Sequence, residues 1–296
     1  MSKAYNKSRF DTIDWTKNDP DVKPGDPYPY QHGTNPFTQL LAGWKVSDFL
    51  PAPAQPASGQ QDKPVPTPAP ATSSTPDARM SGASEFISQN ATAADSAYEH
   101  DFYAGTTSIE AADEEGWVVS VTPSGGWVPA VIAGHTGIGL SERAQSFVTD
   151  PKDGPYNVIE PGKRPRVTLT PTLAMKDGKP YLAFAVQGGD SQDQNLLQFF
   201  LNVVEFGMTV QEATEAPNIN SFQMRSSFGM HESEPGRMLV ATSLPDSTRE
   251  ALRKMGYTLV FAQRTSGPIN AIYFDAAHHS MWGGSSNHGE DYGVAW

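Results

Sequence analysis

The sequence predicts an α+β fold in which an antiparallel sheet is layered against helices. Three observations carry this. Two pairs of alternating apolar runs are each joined by a tight turn, which reads as two hairpins. A long apolar helical segment follows them, and then further strands; this order suits an antiparallel sheet better than a doubly wound parallel one. Proline is uneven: 13 of the 25 prolines lie in the first 80 of 296 residues, so a leader of different character precedes the folded part.

Taken in order, residues 1–50 are polar and turn-rich, with Asp19-Pro20, Pro24-Gly25 and Pro27-Tyr28-Pro29. The apolar stretch Phe37 to Trp44 could dock on a surface. Residues 51–76 hold eight prolines and only two charges, Asp62 and Lys63. Such a stretch buries too little apolar area to offset backbone ordering, roughly 1–2 kcal/mol per residue. A Pro/Ala-rich, disordered, extended linker is expected over 51–102. A proline-motif ligand for a partner is the other use of such a segment.

Globular patterning begins near Tyr103. Thr106–Ala112 and Trp117–Thr122 are expected as strands around the turn Asp113-Glu114-Glu115-Gly116. A glycine-rich loop spans Gly125 to Gly139. Val167–Met175 and Tyr181–Val186 form the second expected hairpin, turned by Lys176-Asp177-Gly178-Lys179. The helix Ser191–Phe206 carries apolar residues nearly all round, which predicts burial on most sides. Thr209 and Glu212 make a capping-box pattern for a short helix before Pro217. Asp246 or Ser247 can cap a further helix that Gly256 ends. Strands are expected at Met238–Thr242, Thr258–Phe261 and Ala271–Phe274.

Charge and composition narrow the function. Lys and Arg number 21 against 33 Asp and Glu, a formal net charge of −12 with a pI near 4.9. A nucleic-acid partner needs a basic face. No apolar run approaches the length of a membrane span, and residues 1–15 carry no apolar core of a signal peptide. Cysteine is absent, which removes thiolate catalysis and zinc–thiolate sites. His278, His279 and His288 lie near Glu290 and Asp291, but adjacent histidines rarely face one ion, so no metal site is expected.

Three segments can carry acyl-transfer chemistry. In Gly105-Thr106-Thr107-Ser108 the plain reading is a β-branched strand start. The sharper one is an N-terminal nucleophile freed by self-cleavage before Thr106. Gly105 leaves the scissile peptide sterically open. The freed α-amine, with an ordinary pKa near 8, can then serve as base for its own hydroxyl. In Gln187-Gly188-Gly189-Asp190 the paired glycines sit at a strand-to-helix turn. There backbone N–H groups can converge as an oxyanion hole, or the turn simply leads to Asp190 or Ser191 as helix cap. In Thr122-Pro123-Ser124-Gly125-Gly126, Ser124 can hydrogen-bond the nucleophile, or the segment is only a turn.

Taken together, the pattern over Gly105–Trp296 resembles the small, C-terminal subunit of the gamma-glutamyltransferase (gamma-glutamyltranspeptidase) family. The resemblance rests on Thr106-Thr107, Val119-Ser120-Val121-Thr122, Pro161-Gly162-Lys163-Arg164-Pro165, Thr170-Pro171-Thr172, Asp177-Gly178-Lys179-Pro180 and Gly188-Gly189 in that order. Ser2-Lys3-Ala4-Tyr5, Arg9 and Ile13-Asp14 resemble the end of the family's large subunit. The resemblance implies the N-terminal nucleophile (Ntn) hydrolase fold, an αββα layered sandwich of which this is the small-subunit half, spanning 103–296. It implies a threonine nucleophile at Thr106, oxyanion-hole glycines at Gly188 and Gly189, and supporting hydroxyls at Thr122 and Ser124. It implies no cofactor and, by family habit, a periplasmic or secreted location, although the chain shows no export signal.

The sequence departs from the family where the family grips its substrate. Ser108 replaces a histidine, and an asparagine falls at Gly126. The residues that hold the glutamyl α-amino group fall at Arg143 and Ser146. The paired serines that hold its α-carboxylate fall at Val167 and Thr168. A cation at Arg143 should repel an ammonium and favour an acid. The expectation is therefore an amide hydrolase or acyltransferase acting on a small-molecule amide or gamma-glutamyl substrate. Only about 105 residues precede Thr106, so a large-subunit partner or self-association is expected to cover the missing half. The alternative is a truncated, unprocessed, non-catalytic scaffold or interaction module.

Overall fold

A computed structural model describes residues 2–50, 106–124, 131–141, 143–287 and 291–295. The expected linker 51–102, Gly105 and Gly126 lie outside the described residues.

The leader contains helix α1 (Lys3–Phe10), which the turn-rich composition did not suggest, and the short helix α2 (Thr38–Ala42). Ser2 caps α1 by accepting from the Tyr5 N–H at 3.1 Å. Hydrogen bonds among the described residues join the leader to the rest of the protein. The Asn18 N–H donates to the Met255 carbonyl at 2.6 Å, and Gln223 Nε2 donates to the Pro20 carbonyl at 3.1 Å.

The first hairpin consists of β1 (Ile109–Ala112) and β2 (Val118–Val121), antiparallel with Glu110 opposite Ser120. β1 begins three residues later than expected; Thr106 instead makes an isolated antiparallel bridge with Ser124. The second hairpin, β3 (Thr172–Lys176) and β4 (Lys179–Val186), turns at Asp177 and Gly178, both at positive φ. β3 does not reach back to Val167. Pro171 has no N–H for the ladder, and the strand starts just past it.

β8 (Ile269–Asp275) and β9 (Ser280–Ser285) complete a four-stranded antiparallel sheet in the order β3-β4-β8-β9. Its two faces are distinct. Leu182, Phe184, Val186, Ile269 and Ala271 pack against Leu196, Phe199 and Val203 of α3 (Gln192–Val204) and Val210 and Ala213 of α4 (Val210–Glu215). The intervening Ala183 and Ala185 are also fully buried, on the face covered by the first hairpin. The Thr209–Glu212 capping box of α4 forms in both directions.

A second sheet has the order β5-β6-β7, from β5 (Ile219–Ser221), β6 (Arg237–Ala241) and β7 (Thr258–Ala262). β6 and β7 are parallel, a pairing that the expected antiparallel sheet did not include. Their connection runs through α5 (Asp246–Lys254), and a helical crossover is what joins parallel neighbours. Neither Asp246 nor Ser247 caps α5. Pro245 occupies that position, and Asp246 in the first turn accepts from Arg249 at 3.0 Å.

α3 is buried or half-buried on all sides except one stripe through Asp193, Leu197 and Leu201. Leu197 is 59% exposed, and Gln194 and Gln198 occupy a third sector. Each of these glutamines binds the backbone of β5 with both ends of its amide. Gln194 takes the N–H and C=O of Ser221, and Gln198 those of Ile219, at 2.7–3.1 Å. The described residues thus stack as helices, four-stranded sheet and hairpin. A second helix layer is not among them.

Candidate active site

Strand alternation puts Thr106, Ser108 and Glu110 on the inner face of the first hairpin, opposite Ser124, Thr122 and Ser120. The bridge aligns Thr106 with Ser124, and Thr106 Oγ1 donates to Ser124 Oγ at 2.9 Å. The Thr107 N–H donates to the Pro123 carbonyl at 3.1 Å and fixes the register here. Ser108 Oγ accepts from Asn270 Nδ2 of β8 at 3.1 Å, and Ser285 Oγ of β9 donates to Asn270 Oδ1 at 2.8 Å. Ser120 Oγ donates to Glu110 and accepts from the Thr172 N–H at 3.2 Å. A polar row therefore lies between hairpin and sheet. Within it, Thr122 Oγ1 is buried without a hydrogen-bond partner among the described residues.

Glu110 is pushed up to about 7, mainly by burial; the Ser120 hydrogen bond opposes the shift without cancelling it. One of its oxygens is buried without a partner. Motif reading passed over this residue. Its signal was an acid at an inward position of a strand.

Arg143 lies in the 3₁₀ turn Arg143–Ser146. Nη2 donates to Ser124 Oγ at 2.5 Å, and Nη1 donates to Thr168 Oγ1 at 3.1 Å. Thr106, Ser124, Arg143 and Thr168 thus form one continuous chain of hydrogen bonds. Burial lowers the Arg143 pKa, and the charge of Asp190 opposes that shift. Ser146 is placed differently. It is buried, and its hydroxyl meets the backbone carbonyls of Arg143 and Arg166 at 2.9 and 2.6 Å. Val167 is 51% exposed.

Gly188 and Gly189 end β4 at φ 135° and 49°, and a 3₁₀ turn, Gly189–Ser191, leads into α3. A Cβ on Gly189 would stand 3.0 Å from the Phe228 ring, in a backbone region that side chains rarely adopt. Neither Asp190 nor Ser191 caps α3 with its side chain. Asp190 instead accepts from the N–H and the hydroxyl of Ser227, both at 2.6 Å, and Arg166 Nη2 stands 3.7 Å away. Asp190 therefore links the glycine turn to Arg166 and, through its charge, to Arg143. Sequence reading missed Arg166, Ser227 and Phe228, which come from two loops distant along the chain.

His278 pairs with Asp275 at 2.7 Å, and His288 and Glu290 lie outside the described residues. Among the described residues no group of three His, Asp or Glu is placed to hold a metal. No helix among them is long and apolar enough to cross a membrane.

Comparison with known proteins bears on family and fold. The sequence model described as Gamma-glutamyltranspeptidase matches residues 61–296. The Acylase ACY 1 proenzyme of Pseudomonas sp. (strain V22) is 29% identical over 172 residues, 58% of this chain and 29% of that protein. The Glutathione hydrolase proenzyme of Pseudomonas sp. (strain A14) is 30% identical over 181 residues, 58% of this chain and 29% of that protein. The chain thus spans less than a third of the length of these relatives. Among solved structures, an acivicin-inhibited gamma-glutamyltranspeptidase superimposes with a TM-score of 0.53 at 26% identity, over 63% of this chain and all of that one. The gamma-glutamyltranspeptidase of Pseudomonas nitroreducens superimposes with a TM-score of 0.53 at 24% identity, over 64% of this chain and all of that one, a likeness of fold. With a family match over most of its length and a fold shared with solved members, the chain belongs to the gamma-glutamyltranspeptidase family.

Proposed function

We propose that this chain carries the nucleophile-bearing half of an N-terminal threonine amide hydrolase or acyltransferase. In processing, Thr106 Oγ attacks the carbonyl carbon of Gly105, and the peptide nitrogen becomes the free amine of Thr106. Water then hydrolyses the resulting ester, leaving a carboxylate on Gly105. In turnover the same oxygen takes the acyl group from an amide, and the amine moves the proton. The N–H groups at Gly188 and Gly189 are assigned to the developing oxyanion. The observation that carries this reading is the Thr106–Ser124 hydroxyl pair, set on an isolated bridge three residues before β1. The unpartnered Thr122 hydroxyl beside it offers an acceptor for the freed amine.

The substrate grip supports an acyl donor other than gamma-glutamyl. Arg143 holds Ser124 and Thr168, so a cation stands where an ammonium would have to sit. Val167 offers no hydroxyl to a carboxylate. A large-subunit partner fits the outer face of the first hairpin, where Ile109, Val119 and Val121 are exposed. The family's periplasmic or secreted habit is carried as part of the same proposal.

The test is intact mass after incubation of the purified chain. Cleavage between Gly105 and Thr106 gives fragments of 105 and 191 residues. Thr106→Ala should abolish cleavage and amide hydrolysis; cleavage persisting in that variant removes Thr106 as nucleophile. Faster turnover of gamma-glutamyl anilide than of simple acyl anilides would overturn the specificity argument alone.

A further inference from the structure

The cation that is unwelcoming to a substrate ammonium also faces the ammonium that the protein would make for itself. Arg143 Nη2 and Thr106 Oγ1 share a single intermediary, the Ser124 hydroxyl, at 2.5 and 2.9 Å. Arg143 is held on its other arm by Thr168, so it cannot swing away without losing that bond. Its Nε is buried with no hydrogen-bond partner among the described residues. A guanidinium remains charged throughout the physiological range.

We propose that Arg143 is a positioning residue for the nucleophile: its charge, fixed one hydroxyl away from Thr106 Oγ1, keeps the freed Thr106 amine unprotonated and so available as a base at neutral pH. The inference rests on the reading of Thr106 as an N-terminal nucleophile. Its physical basis is that a like charge within a few ångströms disfavours the protonated form of an amine. An unprotonated amine is what a general base requires.

The other groups around this amine do not cancel the effect. Thr122 and Ser124 from the facing strand are neutral, as is Asn270, which reaches the inner face through Ser108. Glu110 shares that face but lies four residues along the strand, about 13 Å at the usual rise, and burial keeps it largely protonated below about pH 7. Among the described residues, Asp190 is an anion whose charge acts on Arg143. It is fastened to Ser227 and stands 3.7 Å from Arg166, so its charge is shared between two guanidiniums. Counted over the described Arg143, Arg166 and Asp190, two cations and one anion leave this group positive.

The test titrates the amine directly and needs no substrate. The full chain is incubated until cleaved and pulsed with acetic anhydride across a range of pH. Acetylation of Thr106 is then read from the mass of the N-terminal peptide of the 191-residue fragment. The expected midpoint lies below the usual α-amine value of about 7.7. It should stay there in Arg143→Lys and rise by about one unit in Arg143→Gln, roughly a tenfold loss of free amine on the acid side. Coincident midpoints for the native chain and Arg143→Gln, or a native midpoint at about 8 or above, would overturn the inference while leaving Thr106 as nucleophile. Failure to form any fragment beginning at Thr106 would overturn both together. A native midpoint at about 8 or above overturns the inference even if Arg143→Gln fails to fold.

Discussion

Glu110 shows how a single buried acid couples this fold to pH. Its carboxyl is covered by the hairpin and the sheet, and the hydrogen bond it accepts from Ser120, at 3.3 Å, is long. The folded state therefore prefers the protonated form, with the pKa raised from an ordinary 4.5 to about 7. For a group raised on folding, the stabilisation is complete below the unfolded value and is lost as pH rises through the folded one. The window here is about pH 4.5 to 7, and the loss is about 2–3 kcal/mol at most. Glu110→Gln should flatten thermal stability across that window; an unchanged slope would mean that the acid is solvated. At this scale the sequence exposed the hydroxyls and glycines, because they cluster within short stretches. Asp190 looked like a helix cap because capping is local. Its actual partners, Ser227 and Arg166, are brought to it only by tertiary packing.

Among the elements, α3 and β3 show where periodicity misleads. Pro171 stood inside an expected strand, and the strand began only past it. The helix was recognised by its apolar content, but content could not say which side meets the sheet. Gln194 and Gln198, one turn apart, supplied what hydrophobicity could not: each amide takes the N–H and C=O of one residue of β5, as a neighbouring strand would. Removing either should leave two backbone groups to find water and cost about 1–2 kcal/mol. For Gln194→Ala or Gln198→Ala the expected result is a lower urea midpoint with an unchanged m-value. No shift in midpoint would show that solvent substitutes freely for the amides. The parallel pair β6–β7 was hidden for a related reason, since strand runs alone do not reveal direction. The helix between them does.

For the whole molecule, the layering was legible and its completeness was not. Helices cover one face of the four-stranded sheet and the hairpin covers the other. The hairpin's outward side presents Ile109, Val119 and Val121, with Trp117 71% exposed at its end. An apolar face of this kind favours association. The chain by itself should therefore form concentration-dependent assemblies, and Ile109→Ser with Val121→Ser should shift it towards monomer in sedimentation velocity. Identical sedimentation of native and double variant would place the contact elsewhere. The leader adds one more property. It is pinned to the C-terminal part of the protein at Asn18 and Pro20, far upstream of the bond before Thr106. Together with those pins, the chain between them closes a ring. A cut at residue 105 would open that ring without dividing the particle, so the two pieces would travel together in native buffer and part only in denaturant.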